Sequence, residues 1–554
     1  MKIETNIVSS LEKCRRDALP SDIKRLEKIY AFRGEHINFQ FVFRPSDFGL
    51  WDRRMSVFTE CETAEVRIRE VKDVCADFDT YAEDPSRGTA KMLSYAGKSY
   101  PDVLEPISEN DILRPQCDEL TEIWCDLRIP SDATDFSVRV GVKNSEKILA
   151  KEEIRIEVIA VTLDEADYKC TNWFHVDCLA TYYDVPIFSE RHWEIIDAYM
   201  KCAAENGINM ILTPIFTPPI DTAVGGERPT VQLVGVKKDT DGRYSFDFSL
   251  LARYIDLCRK NGIKWIEISH LFTQWGAKYA PKIVADVSEN GGIVKKRIFG
   301  WDTDGLTGEY PIFLSAFLPE LVAFLKEKGV YERCIFHISD EPTAENMQGY
   351  IKAKKLVDPY LSDAYIADAC ADTSIVATGA LRYPIPCNDK MSDFLALDLP
   401  ERWTYYCCTQ YSEVANRFIC YPSWRNRILG TQMYKYNIRG FLQWAFNFWY
   451  SEHSLREINP YTDMSGGGWV PAGDTFVVYP GLHGVPYESL RLAVFAEGLS
   501  DLRALKTCER ICGREAVMKL VEHEGEITFE KYPEKTDYIL SLRRGIAELI
   551  KNKL

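Results

Sequence analysis

The fold is decided by residues 191–216, which read RHWEIIDAYMKCAAENGINMILTPIF. Apolar residues recur at helical spacing from Trp193 to Met200, and this pattern stops at Gly207. Glycine at that place is typical of a helix end. The Ile-rich run over 208–216 then reads as a short buried strand. The segment therefore predicts an amphipathic helix followed directly by a buried strand.

The same helix–glycine–strand pattern recurs toward the C-terminus. Later helical patterns stop at Gly262 and Gly329, and an apolar run follows each of them. The predicted strands are 208–216, 263–270, 333–339, 364–369 and 440–448. Strands that alternate with helices predict a parallel sheet. About eight such units favour a closed (β/α)8 TIM barrel, and no G-x-G-x-x-G or Walker sequence points to dinucleotide or phosphate binding.

The first 160 residues have a different pattern. Within residues 64–71, apolar and charged side chains alternate as far as Arg69, and four other segments show similar alternation. Such alternation is typical of strands with one buried face. We therefore expect an N-terminal antiparallel β-sandwich domain over 1–162, the TIM-barrel catalytic domain over 163–505, and a helical C-terminal region over 506–554 that packs on the barrel.

Composition narrows the classes of partner. The formal net charge is −16, and no Lys/Arg-rich run is present, which argues against nucleic acid and anionic membranes as partners. We expect a neutral carbohydrate or glycoconjugate substrate instead, and the sequence leaves open whether the chain forms a homo-oligomer. The N-terminus lacks the pattern of a secretory leader, and the 17 cysteines are scattered without a C-x-x-C pair, so we expect a cytoplasmic protein with free thiols.

The most informative motif is Asp340-Glu341-Pro342, at the end of a predicted buried strand. Reactive groups of TIM barrels lie at the C-terminal ends of the strands. Side-chain alternation can break at a strand end, so both carboxylates can enter one pocket. Their repulsion would raise the pKa of one group, which could then hold a proton as a general acid. In the alternative interpretation, Glu341 caps the next helix and Asp340 pairs with an arginine.

Other strand ends and the loops after them are rich in aromatic and polar side chains. Aromatic rings suit the apolar faces of sugars, and carboxylates and amides suit their hydroxyls, although any single ring is more often part of the core. The candidate substrate-binding residues are Trp173, Tyr182, His270, Trp275, Asp368, Trp444, Asn447, Asp474 and Tyr479. His175 and Cys178 have ligand-like spacing, but no second pair accompanies them, so we expect no metal site.

Four segments together resemble glycoside hydrolase family 123 and its bacterial relatives. They are the runs over 335–342, 441–444, 473–481 and 489–501, which include the Asp-Glu-Pro motif and occur in the expected order. The resemblance covers roughly residues 165–505 and implies a barrel preceded by a β-rich domain. It also implies a retaining β-N-acetylgalactosaminidase, or a related β-N-acetylhexosaminidase, that uses substrate-assisted catalysis.

The resemblance gives each acidic residue a role. Glu341 would be the general acid/base, and Asp340 would orient the substrate's 2-acetamido group as that group attacks C1. No metal or cofactor is required. Two alternatives stay open: a two-carboxylate glycosidase that pairs Glu341 with Asp368 or Asp474 on another sugar, and a carbohydrate-binding barrel without activity.

Overall fold

A computed structural model describes residues 2–47, 54–81, 92–145 and 147–554. Within it the chain forms two compact units. The first comprises Met1–Ala166, Tyr411–Tyr436 and Tyr487–Leu554. The second comprises Asp167–Gln410 and Asn437–Pro486.

The first unit contains two β-sheets. One sheet has the order β1-β3-β7-β5-β6, with all neighbours antiparallel. Its strands are β1 (Lys2–Ser9), β3 (His36–Ser46), β5 (Val66–Cys75), β6 (Ser99–Ile107) and β7 (Thr121–Arg128). The other sheet has the order β2-β9-β8-β4. Its strands are β2 (Lys28–Arg33), β4 (Ser56–Glu60), β8 (Phe136–Asn144) and β9 (Lys147–Thr162).

The two sheets share one hydrophobic core. Alternate residues of β3, such as Phe39, Phe41 and Phe43, are fully buried in it, together with Val140 of β8 and Ile154 of β9. Alternation in the sequence therefore places one face of each strand in the core, as a sandwich requires. The predicted antiparallel sandwich is confirmed, except that the β2–β9 pair is parallel.

The second unit is built on an eight-stranded parallel sheet with the order β19-β18-β17-β14-β11-β10-β21-β20. A parallel bridge between Cys387 and Tyr405 joins its two edges. The strands are β10 (Lys169–Asn172), β11 (Met210–Thr213), β14 (Trp265–Ile268), β17 (Cys334–Phe336), β18 (Tyr365–Cys370), β19 (Tyr383–Pro386), β20 (Trp403–Tyr405) and β21 (Gly440–Gln443). The predicted TIM barrel is confirmed.

Helices connect most of these strands. They are α1 (Val176–Tyr182), α2 (Glu190–Glu205), α3 (Ser249–Lys260), α4 (Glu309–Glu327), α5 (Met347–Leu361), α6 (Ser374–Ala377) and α7 (Met391–Leu395). α6 and α7 are only four and five residues long, and β20 has three residues. Elements this short show no periodicity, which explains why the predicted strands include none at β19 or β20.

A second sheet in this unit was not predicted. It has the order β13-β12-β15-β16. The strands are β12 (Gly235–Lys238), β13 (Tyr244–Asp247), β15 (Ile283–Glu289) and β16 (Gly292–Phe299). They are inserted after β11 and β14, so the loops that follow these two barrel strands are long. Two short strands, β22 (Val478–Pro480) and β23 (Pro486–Glu488), lie further along the chain.

The last four helices belong to the first unit. They are α8 (Trp424–Tyr436), α9 (Leu490–Cys512), α10 (Arg514–Val521) and α11 (Thr536–Lys551). Arg491 of α9 makes a two-bond ion pair with Asp102 of β6, and Arg543 of α11 binds Glu35. The units therefore do not follow the three consecutive segments expected from the sequence, because buried ion pairs group these helices with the sandwich.

All 17 cysteines are free thiols, as the scattered spacing predicted. Across the described ranges, no helix is both long and apolar enough to cross a membrane. A cytoplasmic location stays a prediction.

Candidate active site

The two predicted catalytic carboxylates follow β17 at the C-terminal end of the barrel. Glu341 has a left-handed backbone with φ 45°, and its N–H donates to the carbonyl of Ala369 at the end of β18. This conformation is uncommon for a residue other than glycine and is typical of functional sites. It breaks the alternation of the strand, so that Asp340 and Glu341 are both half-buried, neighbouring carboxylates.

Glu341 is oriented by a residue from the far edge of the sheet. The hydroxyl of Tyr405, the last residue of β20, donates to Oε1 of Glu341 over 2.7 Å. The helix-cap alternative is wrong, because α5 begins only at Met347 and has Asn346 as its N-cap residue. Among the described residues, no arginine forms an ion pair with Asp340. The two carboxylates are therefore not accounted for by structural pairing.

Asp340 lies among like charges. Burial, followed by the nearby carboxylates of Glu341, Asp221 and Asp368, raises the pKa of Asp340 well above its usual range. The sequence prediction that one member of the pair holds a proton near neutral pH agrees with this electrostatic setting. Two interacting carboxyl groups titrate as a pair, so the proton belongs to the pair and can move between its members.

A buried hydrogen-bonded row lies beside the catalytic carboxylates. His337 contacts Glu267 through Nε2 at 2.8 Å and Asp368 through Nδ1 at 3.2 Å. Glu267 in turn accepts hydrogen bonds from the Trp173 indole (2.9 Å) and the Thr171 hydroxyl (2.5 Å). Residues at the ends of β10, β14, β17 and β18 are thus joined across the barrel interior, where side chains of alternate strands fill the space.

The charge of His337 follows from these contacts. Burial lowers its pKa, but the hydrogen bonds and negative charges of Asp368 and Glu267 outweigh burial and raise the pKa to about 10. His337 is therefore an imidazolium at neutral pH. Asp368 also accepts a 2.6 Å hydrogen bond from the Tyr350 hydroxyl and hydrogen bonds from the Ile338 N–H. Both oxygens of its carboxylate therefore bind donors of the protein itself.

His270 stacks on His337, with ring centroids 4.5 Å apart and an interplanar angle of 16°. Burial and the positive charge of His337 hold the pKa of His270 well below its usual range, so this imidazole is neutral. Within the described part of the chain, neither ring nitrogen of His270 has a hydrogen-bond partner. Buried polar groups without partners are rare and often mark functional positions, which fits the prediction that His270 contacts substrate.

The side chains of His270, His337 and Asp368 offer three ligand atoms within 4.8 Å of one another. A metal ligand must be a neutral imidazole, however, and the carboxylates on both sides of His337 favour its protonated form. The donor set therefore fits a metal ion poorly, and a metal-free site stays the prediction.

The side chains of Trp444 and Asp474 are joined by a hydrogen bond. The Trp444 indole donates to Oδ2 of Asp474 over 2.9 Å, and the Gln443 amide donates to Oδ1 of the same carboxylate. Trp469 packs edge-on against Trp444, with centroids 5.7 Å apart. Asp474 is fully buried, whereas Trp444 retains 9% of its surface. Trp444 can thus present part of a ring to a ligand, while Asp474 holds that ring in place.

Three other residues predicted to bind substrate are Asn447, Tyr479 and Tyr182. Asn447 is fully buried and pairs twice with the backbone of His175. Tyr479 is also fully buried, against Phe476 and Tyr461. A substrate contact of these two residues stays a prediction. Tyr182 at the end of α1 is exposed and packs against Trp449, without a recorded contact to the catalytic segment among the described residues.

Sequence reasoning missed four residues of this site: Asp221, Glu267, His337 and Tyr405. Glu267 and His337 carried a usable signal, because a charged residue within an apolar strand must have a buried partner. Tyr405 lies on a three-residue strand, and Asp221 lies in a long loop after β11, where spacing gives no indication of neighbours. Trp173 is 2% exposed and donates to Glu267, and its predicted contact with substrate stays a prediction.

Comparison with known proteins identifies the family of the chain. The model of the glycoside hydrolase 123 catalytic domain matches residues 173–508, more than half of the chain. The fold is similar to that of a family 123 glycoside hydrolase from Clostridium perfringens, studied for glycolipid glycan hydrolysis, with a TM-score of 0.71 and 16% identity over 100% of this chain and 98% of the other.

Other similarities are weaker. A family 5 xyloglucanase from Bacteroides ovatus has a TM-score of 0.31 and 8% identity over 85% of this chain and 98% of that one, too low to support an argument. No curated protein matches the sequence. The family match includes the Asp340-Glu341 motif and the aromatic segments around it. The chain therefore belongs to glycoside hydrolase family 123 and is a glycoside hydrolase.

Proposed function

We propose that the protein is a retaining β-N-acetylgalactosaminidase, or a related β-N-acetylhexosaminidase, whose nucleophile is the 2-acetamido group of its own substrate. The observation that carries the proposal is the adjacency of Asp340 and Glu341 at one strand end, held by the left-handed backbone of Glu341. Neighbouring carboxylates cannot act from opposite faces of a sugar, but a general acid and an acetamide-orienting group must act from nearby positions.

The alternative with two catalytic carboxylates is less well supported. It needs a second carboxylate free to attack C1 or to activate water. Asp368 is fully buried and accepts bonds from His337, Tyr350 and a backbone N–H. Asp474 is fully buried beneath Trp444. Both carboxylates are satisfied by protein donors, and neither is exposed to a ligand.

The first step requires a proton on Glu341 and an anion at Asp340. In the free protein burial and the neighbouring carboxylates favour the proton on Asp340. An acetamido N–H that donates to Asp340 stabilises its anion, so substrate binding moves the proton to Glu341. Only a substrate with an N–H at the 2-position would place the proton on the general acid in this way.

The chemistry then follows in two steps. The acetamido oxygen attacks C1 while Glu341 protonates the leaving oxygen, and Asp340 holds the amide as its nitrogen becomes positively charged. Glu341, now an anion bonded to Tyr405, removes a proton from water, which opens the oxazolinium ring at C1. Two displacements at C1 give net retention of configuration. The buried imidazolium of His337 offsets part of the negative charge near Asp340.

The test is hydrolysis of paired aryl β-glycosides with and without a 2-acetamido group, in galacto and gluco forms. We expect cleavage only of the 2-acetamido sugars, with the galacto form preferred, and loss of cleavage in Glu341→Gln. Product configuration is read by NMR in the first turnovers and should be β. An N-acetyl-derived thiazoline, which resembles the ring intermediate, should inhibit competitively.

Cleavage of glycosides that lack the acetamide at similar rates would overturn substrate assistance and favour the two-carboxylate alternative. Binding of the sugars without turnover of any of them would favour the non-catalytic alternative.

A further inference from the structure

His175, the N-cap residue of α1, is a buried histidine that the proposed mechanism does not use. Its Nδ1 lies 3.1 Å from Nη2 of Arg228, and its Nε2 lies 3.2 Å from the backbone carbonyl oxygen of Trp444. A guanidinium can only donate a hydrogen bond, and a carbonyl can only accept one. Nδ1 of His175 is therefore unprotonated, and Nε2 carries the proton that binds the carbonyl.

The electrostatic setting favours the same neutral form of the imidazole. Burial, followed by the positive charge of Arg228, lowers the pKa of His175 to about 3. Arg228 is itself fixed by a two-bond ion pair with Asp177 of α1, in which both hydrogen bonds are 2.8 Å long and both side chains are almost fully buried. The guanidinium is thus held against the imidazole, and His175 keeps one tautomer at neutral pH.

His175 and Arg228 join the loops that follow three barrel strands. Arg228 lies on the loop after β11, His175 follows β10, and Trp444 follows β21. The ring of Phe448, also after β21, packs edge-on against His175 with centroids 5.2 Å apart and lies 4.9 Å from the ring of Trp444. The Arg228 guanidinium lies 5.5 Å from the centroid of the same Phe448 ring. Side chains from three loops thus support Trp444 from behind.

Trp444 is held at two points. His175 donates to its backbone carbonyl, and Asp474 accepts from its indole N–H over 2.9 Å. Trp275, another tryptophan predicted to bind substrate, is 52% exposed on the loop after β14, whereas Trp444 keeps only 9% of its surface. A ring whose backbone and indole nitrogen are both fixed has one orientation, and binding sites need side chains that are locked in this way.

We propose that His175 is a positioning residue for the reaction: its Nε2-protonated tautomer, selected by Arg228, fixes Trp444 in the orientation that stacks on the sugar ring of the substrate. This inference rests on the proposed function and adds a residue that acts without touching the substrate. It also gives the His175–Cys178 pair a role other than metal binding. The Cys178 thiol accepts from the N–H of Trp449 over 3.4 Å, so both residues hold the segment after β21.

The test is a double-mutant cycle on kcat/KM for an aryl 2-acetamido-2-deoxy-β-galactoside. His175→Phe keeps an aromatic ring beside Phe448 but removes both hydrogen bonds of the imidazole. It should lower kcat/KM by about tenfold, as expected from the loss of a buried hydrogen bond, and mainly through KM. In a Trp444→Ala background the same change should have less than about a twofold effect, because residues that act through one another are not additive.

His192→Phe is the matched control. His192 is also a fully buried histidine, and its Nε2 contacts the backbone carbonyl of Val176 over 2.9 Å. Any loss of kcat/KM in this variant should be the same with and without Trp444, because it arises from stability alone. His175→Gln keeps an N–H that can reach the Trp444 carbonyl, so it should recover most of the activity that His175→Phe loses.

A spectroscopic readout is independent of activity. The chain has eight histidines, so selective labelling with nitrogen-15 makes their rings observable by NMR, and the His175 signals are those that disappear in His175→Gln. At pH 7 they should show a proton on Nε2 and none on Nδ1.

The outcomes separate this inference from the proposed function. If the wild-type protein cleaves no 2-acetamido glycoside, the proposed function fails and the positioning role fails with it. If the protein cleaves them but the effects of His175→Phe and Trp444→Ala simply multiply, or if the imidazole carries its proton on Nδ1, the glycosidase assignment stands and the positioning role of His175 is wrong.

Discussion

The hydroxyl of Tyr405 donates a 2.7 Å hydrogen bond to Oε1 of Glu341, from the opposite edge strand of the parallel sheet. This bond holds the Glu341 side chain in position. Tyr405→Phe removes the donor without changing the ring, so Glu341 loses the group that orients its carboxyl. We expect a roughly 10–100-fold lower kcat, because a hydrogen bond to a charged group contributes about 1.5–3 kcal/mol.

The control is Tyr244→Phe, on β13 of the inserted sheet, which removes a tyrosine hydroxyl from a position outside the site. It should leave kcat unchanged. A kcat of Tyr405→Phe as high as that of the control would mean that Tyr405 does not position Glu341.

Leaving-group dependence distinguishes the two adjacent carboxylates. Glu341→Gln removes the proton donor, so substrates with poor leaving groups should lose about 100-fold or more in kcat, while activated aryl glycosides lose less. Asp340→Asn should slow both kinds of substrate, because Asp340 acts in ring closure and not in protonation. Equal and small losses in both variants, measured over a series of aryl leaving groups, would contradict these roles.

The sequence predicted the barrel, the sandwich and the Asp340–Glu341 pair because each depends on local patterns. The spacing of apolar residues identifies helices and strands from the sequence. Two carboxylates directly after an apolar strand are equally easy to recognise, because charged groups are costly to bury. Tyr405 and Asp221 were missed because their relation to Glu341 depends on which strand ends become neighbours when the barrel closes. Pairing between strands far apart in sequence leaves no local signal.

Several residues predicted to bind substrate are buried in the structure. Trp173, Asn447 and Tyr479 are typical of carbohydrate sites by residue type, yet each is nearly or fully buried with partners inside the protein. The sequence could not distinguish a ring at the surface of the mouth from one just below it, because both follow a strand by one or a few residues.

The imidazolium of His337 predicts a specific dependence of stability on pH. Its pKa in the folded protein, about 10, lies above the ordinary value of 6.5. A raised folded-state pKa stabilises the protein fully below pH 6.5, and this contribution is lost as pH rises toward 10. His337→Gln, which cannot carry the charge, should therefore have a lower thermal midpoint than the wild type at pH 6, by an amount equivalent to several kcal/mol.

The difference between the two midpoints should shrink steadily from pH 7 to pH 10, as the wild-type protein loses the charge that the variant lacks. A difference that is constant with pH would show that His337 contributes by packing alone. Measurement of the midpoint difference, rather than either midpoint, cancels the titration of groups common to both proteins.

The ion pair between Arg491 and Asp102 should stabilise the first unit by holding α9 to β6. The guanidinium makes two 2.9 Å bonds to the carboxylate, and both side chains are almost fully buried. Arg491→Met removes the guanidinium that pairs with the buried Asp102 carboxylate, which should cost about 3–5 kcal/mol of unfolding free energy. Arg491→Met combined with Asp102→Leu removes both charges and should recover much of that loss.

Arg510→Met is the control. Arg510 pairs with Asp164 at the surface, and exposed pairs contribute about 0–1 kcal/mol. Thermal unfolding of the wild type and the three variants measures the order of their midpoints. An Arg491→Met midpoint as high as that of Arg510→Met would show that the buried pair does not hold the helix to the sandwich.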